Sequence, residues 1–225
     1  VRDKSYNLKS NNVVYIGNIN AKTDWTKALN DISIVIHLAA KTHSFTKISK
    51  TTYNEYEELN YLSTKKLVDS CLKSGVKHFI FLSSIKVNGE QTDRLKPFTI
   101  FDNPCPIDFY GITKLKAEQY LNKVSNSSNL KITIIRPPLV YGPKVKANFL
   151  QLIKIIKKGI PLPFGSIENK RSFIFIENLV DFIVYIIKNP KKSNNTFLIS
   201  DGQDLSTKEL IIHINKFFRK RPRIF

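Results

Sequence analysis

The chain has 225 residues, of which 42% are hydrophobic and 24% are charged, as is usual for one globular domain or one and a half. No apolar run approaches the roughly 20 residues of a membrane-spanning helix, so no membrane span is expected. The formal net charge is +18, but lysines spread along the chain account for most of it and no recognition motif accompanies them, so we expect no nucleic-acid partner. Cys71 and Cys105 form neither a metal-binding spacing nor a disulfide framework, which favours the reducing cytoplasm.

Apolar runs alternate with helical patterns in the first part of the chain. The strands predicted from these runs are Val13–Ile16, Ile32–Leu38, Phe79–Leu82 and Ile132–Ile135. The helices predicted from 3.6-residue periodicity and stop signals are Thr26–Asn30, Glu55–Ser74 and Phe109–Val124. Because most of the strands are apolar throughout, the pattern predicts an α/β fold with a doubly wound parallel sheet that is covered on both faces.

The alternation of predicted strands and helices changes after Arg136, where prolines divide the sequence into shorter segments. The predicted helices of this part are Asn148–Lys158, Glu177–Lys188 and Thr207–Phe218. Its predicted strands are Phe173–Ile176 and Thr196–Ile199. We therefore expect residues 1–136 to form the main sheet domain, and residues 137–225 to interleave the last sheet elements with a smaller substrate-binding region.

Three polar side chains form a candidate catalytic set. Ser84 follows the strand Phe79–Leu82, at the strand end where doubly wound sheets bind ligands. Tyr110 and Lys114 are four residues apart on a predicted helix, so they share one face, although such a pair is also common on solvated helices. A tyrosine has a pKa near 10, and a neighbouring ammonium lowers that pKa. Such a set can transfer a proton while a hydride moves to or from a cofactor.

Five segments of the chain follow one another in an order that has a counterpart in a known family. They are Val35–Ala40, Phe81–Gly89, Tyr110–Lys114, Arg136–Pro143 and Arg171–Ile174. In these segments the chain resembles the extended short-chain dehydrogenases/reductases of the NAD-dependent epimerase/dehydratase family. The resemblance implies a Rossmann-type, NAD(P)-dependent enzyme. It implies Tyr110 as the catalytic acid/base, Lys114 as its activator and ribose contact, and Ser84 as the partner of the substrate hydroxyl.

The same resemblance implies which residues bind the cofactor and the substrate. The implied cofactor contacts are Asn18, Ile19, Leu38, Ala39, Ala40, Asn60, Ser83, Tyr110, Lys114 and Pro137. The implied substrate contacts are Ser84, Asn148 and Arg171, since a guanidinium suits a diphosphate. The expected cofactor is NAD, with NADP as an alternative that Arg2 favours faintly. No metal site is expected.

Members of this family begin with a strand and a G-x-x-G-x-x-G turn that holds the cofactor pyrophosphate. None of the eight glycines of this chain lies in such a turn. We therefore expect that the first βαβ unit is absent, that the chain is incomplete at both ends, and that these residues alone bind a dinucleotide poorly.

Two reactions and one non-enzymatic role fit the sequence. Family members that are dehydratases carry Asp-Glu after the catalytic Ser or Thr, whereas Ile85 and Lys86 stand there in this chain, which disfavours dehydration. The favoured function is a UDP-sugar 4-epimerase of the UDP-glucose or UDP-N-acetylglucosamine type. The alternatives are a UDP-4-keto-sugar reductase of surface-polysaccharide synthesis and an inactive, truncated binding module. The resemblance also implies a homodimer of the full-length protein through the helices Glu55–Ser74 and Phe109–Val124.

Overall fold

The computed structural model describes residues 13–42, 49–93 and 96–225, which form two compact units. The first unit comprises the described residues up to Arg136 together with Ile186–Leu198. The second unit comprises Pro137–Tyr185 and Ile199–Phe225. The segment that carries the last strand of the sheet thus belongs to the first unit. Arg2, the residue that favours NADP, lies outside the described residues.

Parallel strands organise both units. The strands are β1 (Ile34–His37), β2 (His78–Leu82), β3 (Lys131–Arg136), β4 (Leu139–Tyr141), β5 (Phe173–Phe175) and β6 (Thr196–Leu198). Four of them form one parallel sheet in the order β1-β2-β3-β6, with Phe79 of β2 paired to Val35 on one side and to Ile132 on the other. Continuous apolar runs suit central strands that are buried on both faces. The predicted α/β fold with a parallel, Rossmann-type sheet is confirmed.

Within the described residues, five α-helices lie between successive strands and a sixth follows the last strand. They are α1 (Lys50–Tyr56), α2 (Ser63–Lys73), α3 (Phe109–Ser127), α4 (Ala147–Lys158), α5 (Ile176–Lys188) and α6 (Thr207–Phe217). A π-helical segment, Glu57–Leu62, joins α1 to α2, and short 3₁₀ turns lie at Ile85–Val87 and Pro190–Lys192. Gly75 has a φ of 70° just after α2, a left-handed conformation that ends helices readily at glycine. Within the described residues, no helix is both long and apolar enough to cross a membrane.

The core of the first unit lies between one face of the sheet and the helices α2 and α3. Phe79 and Phe81 of β2 point to this face, as alternate residues of a strand do. They pack with apolar side chains of both helices, among them Val68 and Leu121, which are fully buried. This packing fixes α3 against the sheet, and α3 carries two of the candidate catalytic side chains.

Two predictions in the first thirty residues are wrong. The segment Val13–Ile16 does not form a strand, and Thr26–Asn30 forms turns instead of a helix. Their apolar residues serve a different purpose, because Trp25 and Leu29 bury their side chains in the core of the first unit while the backbone stays irregular. The short strand β4 was not predicted, since three residues carry too little periodicity.

The second unit has its own small core. The strands β4 and β5 pair in parallel, with Leu139 opposite Phe173. Ile156 of α4 and Ile211 of α6 pack with Leu162. The helix α6 begins at the predicted residue Thr207, after a reciprocal capping box between Ser206 and Glu209.

Candidate active site

The carboxyl ends of three neighbouring parallel strands bring several of the candidate residues to one edge of the sheet. Leu38–Ala40 follow β1, Ser83 and Ser84 follow β2, and Pro137 follows β3. The backbone N–H of Ser83 donates to the carbonyl oxygen of Ile135 at 2.7 Å, so the parallel pairing continues to this edge. Ligands of open parallel sheets bind at such an edge.

Ser84, Tyr110 and Lys114 come together there. The Ser84 side chain lies near enough to the Tyr110 hydroxyl to lower the pKa of that tyrosine. The Lys114 ammonium lies 5.9 Å from the centre of the Tyr110 ring and donates to the carbonyl oxygen of Leu82 at 2.7 Å. The helix α3 therefore delivers both side chains of the Tyr-x-x-x-Lys pattern to the end of β2, where Ser84 lies.

Burial shifts the pKa values of Tyr110 and Lys114 in the direction that disfavours the charged form of each side chain. It raises the pKa of Tyr110 to about 12, while the hydrogen bond from Ser84 opposes that change. Burial also lowers the pKa of Lys114 to about 7, and the negative charge of Glu118 opposes that change. Tyr110 is therefore a neutral phenol at neutral pH, and a phenolate needs a further positive charge nearby.

Asn60 connects the segment after β1 to the catalytic helix. Its side chain is fully buried in the π-helical segment. The amide oxygen accepts the backbone N–H of Lys41 at 2.8 Å, and the amide nitrogen donates to the Lys41 carbonyl and to the Thr113 hydroxyl, each at 3.1 Å. All three hydrogen bonds are made within the protein, so Asn60 orients the residues after β1 relative to α3.

A buried ionic network lies beneath the catalytic set and escaped the sequence analysis. Arg136, at the end of β3, and Glu118 of α3 have side chains that are 7% and 2% exposed and meet at 2.5 Å. The same carboxylate accepts the hydroxyl of Ser83 at 2.5 Å. The guanidinium also donates to Asn88 at 2.8 Å, and Asn88 in turn donates to the carbonyl of Thr99. Asn88 stands where the resembling family usually has tyrosine, and here it is an acceptor for the buried arginine.

Four further candidate residues are exposed or half-buried. Asn18 is exposed, and Ile19 is half-buried against the core of the first unit. In the second unit, Asn148 is exposed in the first turn of α4. Arg171 is exposed beside an isolated antiparallel bridge with Leu205. The roles that the resemblance implies for these four residues stay predictions.

Comparison with known proteins decides the family. The family model described as the NAD dependent epimerase/dehydratase family matches residues 2–200. The chain belongs to this family. It is 48% identical over 197 residues to a UDP-glucose 4-epimerase of Vibrio cholerae, with 87% of this chain and 60% of the relative covered.

Two further similarities agree with this membership of the NAD dependent epimerase/dehydratase family. The chain is 28% identical over 214 residues to an N-acetyl-alpha-D-glucosaminyl-diphospho-ditrans,octacis-undecaprenol 4-epimerase of Escherichia coli O157:H7, with 93% of this chain and 62% of the relative covered. A solved structure of UDP-glucuronic acid 4-epimerase from Bacillus cereus, in complex with UDP-glucuronic acid and NAD, superposes with a TM-score of 0.79 at 27% identity. That comparison covers 91% of this chain and 65% of the other. The chain thus spans less than two thirds of the length of these relatives.

We expect the buried ion pair to stabilise the fold only as a complete pair. Replacing Arg136 with Met leaves the Glu118 charge buried without its cation, which costs about 3–5 kcal/mol of the free energy of unfolding. The double variant Arg136→Met, Glu118→Leu removes both charges and should recover a large part of that loss. Urea denaturation measures the three proteins. The control Lys170→Met breaks an exposed pair with Glu209 and should change little; an equally mild Arg136→Met would contradict the role of the buried pair.

The lowered pKa of Lys114 makes stability depend on pH. Between the folded pKa of about 7 and the ordinary value of 10.5, the unfolded chain binds a proton that the folded protein does not. The free energy of unfolding contributed by this group therefore rises with pH across that window. Relative to Lys114→Met, the unmodified protein should gain stability from pH 7 to pH 9 in urea denaturation. Lys123→Met, which removes an exposed lysine of α3, should keep the unmodified slope; a Lys114→Met slope equal to it would contradict the assignment.

Proposed function

We propose that the protein is an NAD-dependent UDP-sugar 4-epimerase, acting on a UDP-glucose or UDP-N-acetylglucosamine type of substrate. The observation that carries the proposal is the meeting of Ser84, Tyr110 and Lys114 at the carboxyl end of β2. The relatives from Vibrio cholerae and Escherichia coli O157:H7 are both named as 4-epimerases, which supports the reaction type. The Vibrio relative acts on UDP-glucose by its name, which supports the substrate class.

In the proposed reaction, Tyr110 moves the proton of the sugar hydroxyl at C4. As the phenolate, its oxygen takes the proton while C4 is oxidised, and the resulting hydroxyl returns the proton when C4 is reduced on the opposite face. Ser84 holds the substrate oxygen in line by a hydrogen bond. A positive charge on Lys114 favours the phenolate of Tyr110, so the ammonium form of Lys114 is the active one. Bound NAD supplies the hydride acceptor and a positive charge that favours the phenolate.

The residues around the catalytic set fit a dinucleotide. Leu38 is 57% exposed after β1, although leucine is usually buried, and offers apolar surface at the ligand edge of the sheet. An ammonium has three donors, and the Leu82 carbonyl takes one from Lys114, which leaves capacity for ribose hydroxyls. The other proposed cofactor contacts are Asn18, Ile19, Ala39, Ala40, Asn60, Ser83, Tyr110 and Pro137. NAD is the proposed cofactor, because the Bacillus cereus structure is a complex with NAD.

The diphosphate of the substrate is proposed to bind the second unit. Arg171 has an exposed side chain, and a guanidinium can grip a phosphate through two parallel hydrogen bonds. Asn148 lies in the first turn of α4, a helix end where backbone N–H groups favour anions. The net charge of +18 attracts an anionic substrate as well.

The test of the function is an assay of the complete gene product with UDP-glucose or UDP-N-acetylglucosamine and NAD. We expect epimerisation without added reductant. Tyr110→Phe removes the group that exchanges the proton and should lower kcat by at least about a hundredfold, while Tyr185→Phe, at an exposed tyrosine, should leave it unchanged. Turnover that requires a 4-keto substrate and NAD(P)H would instead identify a reductase. Lack of any turnover and of NAD binding would identify a binding module.

We also propose that the complete gene product is a cytoplasmic homodimer that pairs through residues 55–74 and 109–124. Both cysteines are free, which suits a reducing compartment. Leu72 of α2 is 40% exposed on this face, where a partner would cover it. Size-exclusion chromatography with light scattering should give twice the monomer mass, and a monomer at micromolar concentration would contradict the proposal.

A further inference from the structure

Two charged residues flank the catalytic set symmetrically along the sequence. Lys86 follows Ser84 by two residues, and Asp108 precedes Tyr110 by two. Their side chains meet, with the Lys86 ammonium 2.5 Å from one carboxylate oxygen of Asp108. The pair is partly exposed, at 39% and 40%, and neither residue has a part in the reaction proposed above. It joins the turn that carries Ser84 to the helix that carries Tyr110.

The Asp108 carboxylate has two separate tasks. Its Oδ1 accepts the backbone N–H of Gly111 at 2.7 Å and so caps the first turn of α3. Its Oδ2 accepts the Lys86 ammonium. One planar group therefore fixes both the start of α3 and the 3₁₀ turn Ile85–Val87, which leaves little freedom between them.

The backbone of the two elements is in direct contact at the same place. A Cβ atom added to Gly111 would lie 2.7 Å from the carbonyl oxygen of Lys86 and 2.9 Å from the Cβ of Pro106. Both distances are too short for a real side chain, so this contact requires glycine. On the other side of the turn, the Ser84 hydroxyl accepts the backbone N–H of Lys86 at 3.2 Å. The orientation of Ser84 is thus tied to the residue that pairs with Asp108.

We propose that Lys86 and Asp108 are positioning residues that together hold Ser84 against Tyr110 and balance the charge beside the tyrosine. The inference rests on the proposed epimerase function and adds to it a pair outside the Ser, Tyr and Lys set. Neither side chain exchanges a proton with the substrate. Their effect on the reaction comes through the Ser84–Tyr110 distance and through the electrostatic field at Tyr110.

The two charges act on Tyr110 in opposite directions. The groups that act on this tyrosine are Ser84 before the 3₁₀ turn, Tyr56 on α1, Asp108 at the cap of α3, and Lys114 on α3. Lys86 reaches it through its ion pair with Asp108. Asp108 raises the pKa of Tyr110, because a negative charge disfavours the phenolate. Lys86 offsets that charge. Removing Asp108 should therefore lower the pKa of Tyr110, and removing Lys86 should raise it.

The experiment compares Lys86→Met and Asp108→Asn in the complete gene product. Asparagine keeps an oxygen that can cap Gly111, so Asp108→Asn removes the charge and spares the start of the helix. Each variant should lose roughly two- to fivefold of the plateau kcat/KM, as expected for a partly exposed pair. The acidic limb of the kcat/KM profile should move by about half a pH unit, to lower pH in Asp108→Asn and to higher pH in Lys86→Met.

Two further variants separate positioning from general damage. Lys86→Arg keeps the charge and the pair, and should restore both the plateau and the limb. Glu90→Gln removes another carboxylate that lies 3.4 Å from Lys86 but does not contact α3, and it should behave as the unmodified protein. Limbs that move in the same direction in Lys86→Met and Asp108→Asn, or that do not move, would overturn the inference.

A second measurement does not depend on turnover. Hydrogen exchange reports on the amide of Val87, which donates to the Ser84 carbonyl, and on the amide of Gly111, which donates to Asp108. Lys86→Met should accelerate both, whereas Glu90→Gln should accelerate neither. If the unmodified protein shows no epimerisation, the proposed function fails, and unchanged exchange in Lys86→Met would overturn the positioning role by itself.

Discussion

The ion pair between Arg136 and Glu118 is the constraint on which the site depends. It joins the end of a central strand to the middle of α3, and both side chains are almost fully buried. Removing either partner alone would leave the other charge buried without compensation, which is strongly destabilising. The carboxylate also accepts the hydroxyl of Ser83, the neighbour of the proposed catalytic serine. The ion pair thus adds an electrostatic constraint on the strand end, the helix and the serine turn to the apolar packing that holds α3 against the sheet.

Burial opposes charge on Tyr110 and Lys114, the proposed acid/base and its activator. It raises the pKa of Tyr110 to about 12 and lowers the pKa of Lys114 to about 7. A phenolate at Tyr110 therefore needs further positive charge nearby. In the proposed reaction the cofactor would supply that charge, so cofactor binding and activation of the base would be coupled. Ser84 lowers the pKa of Tyr110, whereas Asp108, the partner of Lys86, raises it.

The sequence predicted the parts of the site that are encoded locally. Ser84 follows an apolar strand directly, and Tyr110 and Lys114 are separated by one helical turn, so their positions follow from the periods of strand and helix. Glu118 and Asn88 were not recognised as partners of Arg136, because a contact between residues 18 and 48 positions apart leaves no periodic signal. The segment Thr26–Asn30 was wrongly predicted as a helix for a related reason. The side chain of Trp25, just before this segment, is anchored by the core of the first unit, and that core is known only once the sheet is assembled.

The π-helical segment Glu57–Leu62 has a consequence for how this region can change during evolution. A π-helix accommodates one more residue per turn than the preceding and following α-helices would. Removing one residue from this segment would let the α-helix run through without interruption. Because the wider turn absorbs the additional residue, the helices on either side of the deletion would keep nearly the same rotation about their axis. The change would fall on the segment itself, where Asn60 would lose the position from which it bonds Lys41 and Thr113. The segment should therefore accept many substitutions on its outer face, yet its length in residues should be invariant among proteins that keep this arrangement.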